Sequence, residues 1–226
     1  MNTALILAGG TGVRFGSDIP KQYIELNSKP VIAYCLDKFT AHPLIDSIQI
    51  VADDLWRDYI SRFIISDKFR GFSSPGKNRQ LSIFNGLSDI KKYSSPEDTV
   101  LIHDAARPLV SEKMITDCLN AAAEHDGALP VLPMKDTIYM SDDGKCISSL
   151  LERSRLFAGQ APEAFKLGMY YDANLALMPE RILAISGSTE PAVLAGMDIA
   201  MISGDENNFK ITTKNDFERF RKYIDR

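Results

Sequence analysis

The chain has 226 residues, of which 45% are hydrophobic and 25% charged, and a formal net charge of −4. A buried core is within reach of such a composition, and one large domain or one domain with a small appendage is expected. The acidic balance argues against a general nucleic-acid binder, so cations that meet phosphates must be gathered locally.

The segment TALILA (3–8) reads as a buried strand. It lacks the basic flank and the length of a signal peptide, and no stretch approaches the roughly 20 apolar residues of a membrane span. PVIAYCLDKFTA (30–41) has helical apolar spacing behind a proline. SIQIVA (47–52) reads as a strand and DDLWRDYISRFII (53–65) as an amphipathic helix capped by Asp53. NRQLSIFNGLSDIKKY (78–93) reads as a helix. TVLIHDAARP (99–108) is a strand running into a polar turn, SEKMITDCLNAAAEH (111–125) a capped helix, and GALPVLP (127–133) a further strand. This alternation predicts an α/β protein, a Rossmann-like mostly parallel sheet with helices on both faces. Ligands in such sheets lie beyond the carboxyl ends of strands, so residues 9–23 and 103–108 should face one crevice.

The rhythm breaks at 135–160. KDTIYMSDDGKCISSLLERSRLFAGQ predicts two short strands joined by the turn SDDGK, a projecting arm with few core-sized residues. A second subunit is the simplest partner for such an arm. AMISGDENNFKITT (200–213) then returns to the sheet pattern, followed by a basic helix near 214–224. One domain is therefore expected over 1–226. Cys35, Cys118 and Cys146 form no CxxC or Cys/His cluster, which argues against structural zinc and for idle thiols in a reducing, cytoplasmic setting.

The first loop, LILAGGTGVRFGSDIPKQY (5–23), is a candidate phosphate cradle. A P-loop needs a Gly-Lys pair that is absent here. A dinucleotide fingerprint, which would make the chain an NAD-binding oxidoreductase, fits loosely: Gly10 and Gly12 are followed by Gly16, one residue late. The acidic strand end it requires is replaced by a turn and a helix. A nucleotidyltransferase loop fits better. Its glycines let backbone N–H groups approach a triphosphate, and Arg14 and Lys21 supply the full charges that dipoles alone cannot.

Behind this loop, LIHDAARPLV (101–110), PMKDTI (133–138), GQAPEAF (159–165) and NNFKITT (207–213) follow in order. In this combination the chain resembles the 2-C-methyl-D-erythritol 4-phosphate cytidylyltransferase family and its relatives, the ribitol-5-phosphate cytidylyltransferases, over essentially its whole length. The resemblance implies a fold of the nucleotide-diphospho-sugar transferase type and a reaction that couples CMP from CTP to a polyol phosphate with release of pyrophosphate. It implies that Ala8, Gly9, Gly10, Thr11 and Gly12 wrap the triphosphate, that Arg14, Lys21 and Lys210 are the catalytic cations, and that Gly76, Arg79 and Ser82 belong to the cytosine-reading loop. Asp104 matches a residue that holds Mg²⁺ or orients substrate, whereas His103 is read as structural. Arg107, Thr137, Arg153 and Ser186 match acceptor contacts, with Arg155 competing for the role of Arg153. The arm of such enzymes reaches the neighbouring subunit, so a homodimer is implied.

The pattern departs in places. Pro75 stands for a glycine, GQAPEAF replaces the usual Gln-Thr-Pro-Gln, and in ISGSTEPAVLAG (185–196) Gly187 stands where an aspartate belongs, with Thr189 and Glu190 just beyond. HDAARP leans to the methylerythritol enzymes and AGGTG to the ribitol enzymes. Methylerythritol phosphate is the leading acceptor and ribitol 5-phosphate or another polyol phosphate the alternative.

Overall fold

A computed structural model describes residues 1–10, 15–17 and 19–225. The apolar segments become strands: β1 (Asn2–Leu7), the short pair β2 (Glu25–Leu26) and β3 (Lys29–Pro30), β4 (Ser47–Val51), β5 (Phe69–Ser73), β6 (Thr99–Asp104) and β7 (Gly127–Pro133). Between them run α1 (Val31–Ala41), α2 (Asp54–Ser61), α3 (Arg79–Ile90) and α4 (Glu112–Glu124). Asp53, Asn78 and Ser111 cap α2, α3 and α4 by accepting from backbone N–H groups at 3.0, 2.8 and 3.2 Å. Each cap satisfies one of the donors that a helix start leaves unpaired.

The arm follows β7. Strands β8 (Tyr139–Met140) and β9 (Ser149–Leu150) pair antiparallel in a small sheet of their own. The arm ends earlier than its sequence suggests, because β10 (Phe157–Gly159) already pairs with β7 in the main sheet. The base of the arm is thus a fixed strand pair, with Pro133 opposite Phe157. The chain then forms β11 (Glu163–Lys166), α5 (Leu167–Leu175), α6 (Glu190–Leu194), β12 (Ile199–Ser203) and α7 (Lys214–Ile224).

The main sheet has the order β10-β7-β11-β6-β1-β4-β5, with β12 on β7. β1, β4, β5 and β6 pair in parallel, as do β7 and β12, while β11 runs antiparallel between β6 and β7. Alternation along β1 decides the layers. Ala4 and Ile6 face one core with Ile32, Leu36, Phe39, Ile60 and Ile115, from α1, α2 and α4. Leu5 faces the other with Ile83, Leu87, Leu167 and Tyr170, from α3 and α5. Helices therefore cover both faces, as the βα rhythm predicts.

One helix differs from its sequence reading, and two further elements have none. Helix α2 stops at Ser61 instead of running to 65. Its end tightens into i→i+3 bonds, Arg62 N to Tyr59 O and Phe63 N to Ile60 O at 3.3 and 2.9 Å, which turn Ile64 into the core and leave Ile65 in solvent. β11 and α5 carry no signal that separates them from loop: EAFK is four residues long and its partners lie far away in sequence.

Helix α3 lies close on β1. A Cβ added at Gly86 would stand 2.5 and 2.8 Å from the Leu5 Cδ atoms, and Leu5 is fully buried. Gly86→Ala gains about 1 kcal/mol of helix propensity, but overpacking a tight core costs about 1–3 kcal/mol. The expected net effect is a lower urea midpoint with an unchanged m-value.

Candidate active site

A cavity of about 470 Å³ opens at the carboxyl ends of β1 and β6, lined by Gly9, Gly10, Lys21, Arg79, Asp104 and Lys210 among others. The two loops expected to share a crevice do share it. A hollow of about 520 Å³ beside α7 is lined by Asn207, Asn215, Glu218, Arg219, Lys222 and Tyr223, and it holds none of the candidate site residues named above.

The glycine loop is held from behind. Gln22 Nε2 donates to the carbonyls of Ala8 and Gly10 at 2.6 and 2.7 Å, and Tyr23 OH donates to Ala8 O at 2.8 Å. Ala8 N bonds to Val51 O at 2.8 Å. Ala8 is therefore buried scaffold and does not line the cavity, contrary to its expected place around the triphosphate. Gly9 is needed for a close approach: a Cβ there would lie 2.6 Å from Pro75 Cβ. The loops at 9 and 75 pack face to face, and the proline that departs from the family pattern forms that contact. Lys21 opens the 3₁₀ turn Lys21–Tyr23 at the cavity wall. Thr11, Gly12 and Arg14 lie outside the described residues.

Asp104 ends β6 and collects cations from three places. Arg79, the first residue of α3, approaches Oδ1 at 3.1 Å. Lys210 approaches Oδ2 at 3.0 Å and Arg107 Nε approaches it at 3.7 Å. Burial alone would raise the Asp104 pKa, but Arg79, Lys210 and Arg107 outweigh it and hold the carboxyl far below its ordinary range. The Lys210 segment is itself anchored. Ile211 N donates to Ala106 O at 2.8 Å, Arg107 Nη1 to Asn208 O at 2.6 Å, and Asn208 Nδ2 to Ala161 O at 2.6 Å.

The loop before α3 is a second wall. Ser82 Oγ accepts from Gly76 N and donates to Asn78 O, both at 2.9 Å. The hydroxyl proton is spoken for, so Ser82 has only a lone pair left for a base. Arg79 also lies 3.8 Å from Glu163, a buried carboxylate whose pKa is raised by burial against the pull of Arg79 and of the Ser188 and Thr189 hydroxyls.

Cations, glycine backbone and an ionised carboxylate in one crevice are suited to a reacting polyphosphate. Comparison with known proteins agrees. The sequence matches the family model described as 2-C-methyl-D-erythritol 4-phosphate cytidylyltransferase over residues 2–226. The chain belongs to that family. It is a nucleotidyltransferase, and specifically a cytidylyltransferase. It is 36% identical to the 2-C-methyl-D-erythritol 4-phosphate cytidylyltransferase of Clostridium beijerinckii, over 96% of this chain and 95% of the relative. It is 32% identical to the ribitol-5-phosphate cytidylyltransferase of Lacticaseibacillus paracasei, over 99% and 98%. The 2-C-methyl-D-erythritol 4-phosphate cytidylyltransferase structure of Francisella tularensis superposes with a TM-score of 0.83 at 26% identity, covering 98% of each chain.

Against the roles the resemblance implies, this cytidylyltransferase brings Gly9, Gly10, Lys21, Gly76, Arg79, Ser82, Asp104 and Lys210 to one cavity. It does not bring Arg107, Thr137, Arg153 or Ser186 to its lining. Arg107 sits behind Asp104. Thr137 and Arg153 belong to the arm, where Arg153 Nη1 donates to Lys135 O at 2.7 Å and the competing Arg155 faces Glu152 at 3.9 Å. Ser186 is drawn to Glu190, whose Oε2 accepts from its N–H at 3.0 Å and from its hydroxyl at 3.3 Å. At Gly187 a Cβ would meet no atom of the described residues within 4 Å. Gln22, Asn78 and Glu163 were not assigned from the motifs. Their signal is their position beside Lys21, beside Arg79 and within GQAPEAF.

His103 is structural, as expected. It is fully buried under Asp104, and its Nε2 lies 3.0 Å from Arg107 O, which makes Nε2 the protonated nitrogen. Nδ1 is buried without a hydrogen-bond partner among the described residues. A second proton there has nowhere to bond, and burial lowers the pKa from 6.5 to about 4. A base with a depressed folded pKa stabilises the fold above its unfolded pKa and loses that contribution as pH falls from 6.5 toward 4. The expected loss between pH 7 and pH 5 is about 2 kcal/mol. Glu163, whose pKa is raised above its ordinary value by burial, contributes a slope of the opposite sign. The readout is therefore the difference between the wild type and His103→Gln, whose urea midpoint should fall less on acidification.

Proposed function

We propose that the enzyme joins CMP to the phosphate of a polyol phosphate, with 2-C-methyl-D-erythritol 4-phosphate as the leading acceptor and ribitol 5-phosphate as the alternative. The observation that carries this reading is the set of cations on Asp104, in a cavity whose opposite wall is the glycine loop with Lys21. A phosphate oxygen of the acceptor attacks the α-phosphorus of CTP in line. A new P–O bond forms, the bond to the bridging oxygen of the β-phosphate breaks, and pyrophosphate leaves. The attacking phosphate is already an anion near neutral pH, so no general base is required. The barrier arises from repulsion between anions and from charge building at phosphorus, and both yield to fixed cations.

Lys21 and Lys210 are placed for that work, and Arg14 completes the set. Arriving phosphates compete with Asp104 for Lys210 and Arg79. Asp104 thus keeps the cations together before substrate binds and yields them afterwards. Magnesium fits this site as an ion held chiefly by the nucleotide. Among the described residues no group of three or more carboxylate, histidine or cysteine side chains could hold a metal alone, but Asp104 is an ionised oxygen donor of the kind that magnesium shares with substrate phosphates. When bound, the ion would neutralise charge on the triphosphate.

The acceptor assignment leans on HDAARP and on the higher identity to the Clostridium beijerinckii relative. The ribitol alternative is favoured by AGGTG, and Gly187 departs from the aspartate expected of either acceptor's enzymes. We further assign the arm (135–156) to a homodimer contact through which Thr137 and Arg153 serve the partner's site. Tyr139, Met140 and Leu150 are 56, 46 and 64% exposed on it, more apolar surface than a solvated arm requires. The rest of the chain, in this reading, forms one nucleotidyltransferase domain working in the cytoplasm. No helix among the described residues is long and apolar enough to cross a membrane.

A pyrophosphate-release assay crossing the four nucleoside triphosphates with methylerythritol 4-phosphate, ribitol 5-phosphate and glycerol 3-phosphate tests the reading. Release with CTP and one polyol phosphate is expected. Release independent of CTP, or none with any polyol phosphate, overturns it. A charge pair at about 4 Å is worth on the order of 4 kcal/mol near the surface. Lys21→Ala and Lys210→Ala are each expected to lower turnover roughly 10²–10³-fold while both variants still fold; Lys210→Ala should melt lower than wild type, because it takes one of three cations from the buried Asp104.

A further inference from the structure

Three consecutive residues at the start of α3 reach one distant segment. Asn78 Nδ2 donates to the carbonyls of Ile182 and Leu183 at 3.0 and 3.2 Å. Gln80 Nε2 donates to the Tyr170 hydroxyl at 3.1 Å, which donates to Ser188 O at 2.6 Å. Between them Arg79 faces Glu163 Oε1 at 3.8 Å. That oxygen also accepts from the Ser188 hydroxyl, and Oε2 accepts from the Thr189 hydroxyl at 2.8 Å. The cavity wall that carries Arg79 is therefore tied to segment 182–189 at three points, two of them on loop 186–190, and the middle tie passes through a carboxylate.

That carboxylate is costly to keep. Glu163 is 6% exposed and lies opposite Ile102 in the sheet, at the same end as Asp104. Burial of a charge is unfavourable unless the charge is paired and hydrogen-bonded. Here it is paired on one side with Arg79 and bonded on the other by two hydroxyls. Both oxygens are engaged, so Glu163 is not set to grip a substrate itself. Arg79 stands between two carboxylates, Asp104 at 3.1 Å and Glu163 at 3.8 Å. Any move of Arg79 toward a bound nucleotide changes the counter-ion of Glu163, and with it the pull on Ser188 and Thr189.

We propose that Glu163 is a positioning residue, which sets loop 186–190 against the nucleotide-side Arg79 and thereby tunes the affinity for the acceptor. The inference rests on the reading that this loop faces the acceptor. Gly187 leaves the loop without the expected aspartate; Glu190 Oε2 accepts from the Ser186 and Gly187 N–H groups at 3.0 and 3.4 Å, and Glu163 supplies a second carboxylate from the sheet behind the loop, bonded to Ser188 and Thr189.

The test is steady-state kinetics of the full-length enzyme with CTP and the polyol phosphate that the wild type uses, on Glu163→Gln, Thr189→Val and the double variant. Glu163→Gln removes the charge and keeps the shape. The expected result is a rise of about fivefold or more in acceptor KM with CTP KM within about threefold of wild type. Thr189→Val should move in the same direction, and the double variant should be no worse than Glu163→Gln, because both act along one path. An acceptor KM that rises less than about fivefold in Glu163→Gln, an equal rise in both KM values, or multiplying effects in the double variant overturns the proposal. If Glu163→Gln does not fold, Thr189→Val decides alone, and an unchanged acceptor KM overturns it. A wild type that turns over no polyol phosphate overturns the functional reading and this inference together. That failure is visible without any variant.

Discussion

The site depends on one carboxylate that stays ionised while nearly buried. Asp104 is 7% exposed at the end of a central strand. Its desolvation is offset only because Arg79, Arg107 and Lys210 converge on it. Those cations come from the start of a helix, from the turn after β6 and from the segment after β12. Each would repel the others without the shared counter-ion. The geometry of the crevice is therefore an electrostatic agreement among elements far apart in sequence. A polyphosphate can take over the same agreement by offering more negative charge than the carboxylate does.

The scaffolding behind the site is neutral and rigid by comparison. Gln22 and Tyr23 fix the glycine loop through carbonyls, Ser82 fixes the turn at Gly76, and Asn208 fixes the segment before Lys210. These bonds are buried or nearly so, where a lost partner would cost more than in water. Charges are left for the cavity side, and neutral hydrogen bonds hold them in place.

Much of this was legible in the sequence. The apolar runs at 3–8, 47–52 and 99–104 had to be buried strands, and Asp53 and Ser111 marked helix starts because their side chains can serve unpaired N–H groups. Lys21, Arg79, Asp104 and Lys210 stood in motifs whose order pointed to a cytidylyltransferase. The insertion of β11 was not legible, because strand order is set by long-range pairing and four residues carry no period of their own. Glu163 was visible only as a departure from a pattern. Its partners, Arg79, Ser188 and Thr189, are neighbours in space alone. The role of Pro75 was hidden in the same way, since the close approach to Gly9 exists only after both loops have formed.

The antiparallel strand β11 has a consequence for how the chain is made. β6 and β7 are synthesised one after the other, yet they never become neighbours; the slot between them belongs to a strand that emerges only after the whole arm. Until then both carry open edges, and open edges invite pairing with the wrong chain. Long-range closure of this kind is slow. The last strand to enter the slot also delivers Glu163 to Arg79 and carries the chain on toward Ser188 and Thr189. A nascent or partly opened chain thus has its glycine loop and Asp104 but no finished second half of the crevice, so completion of the sheet and completion of the site are a single event.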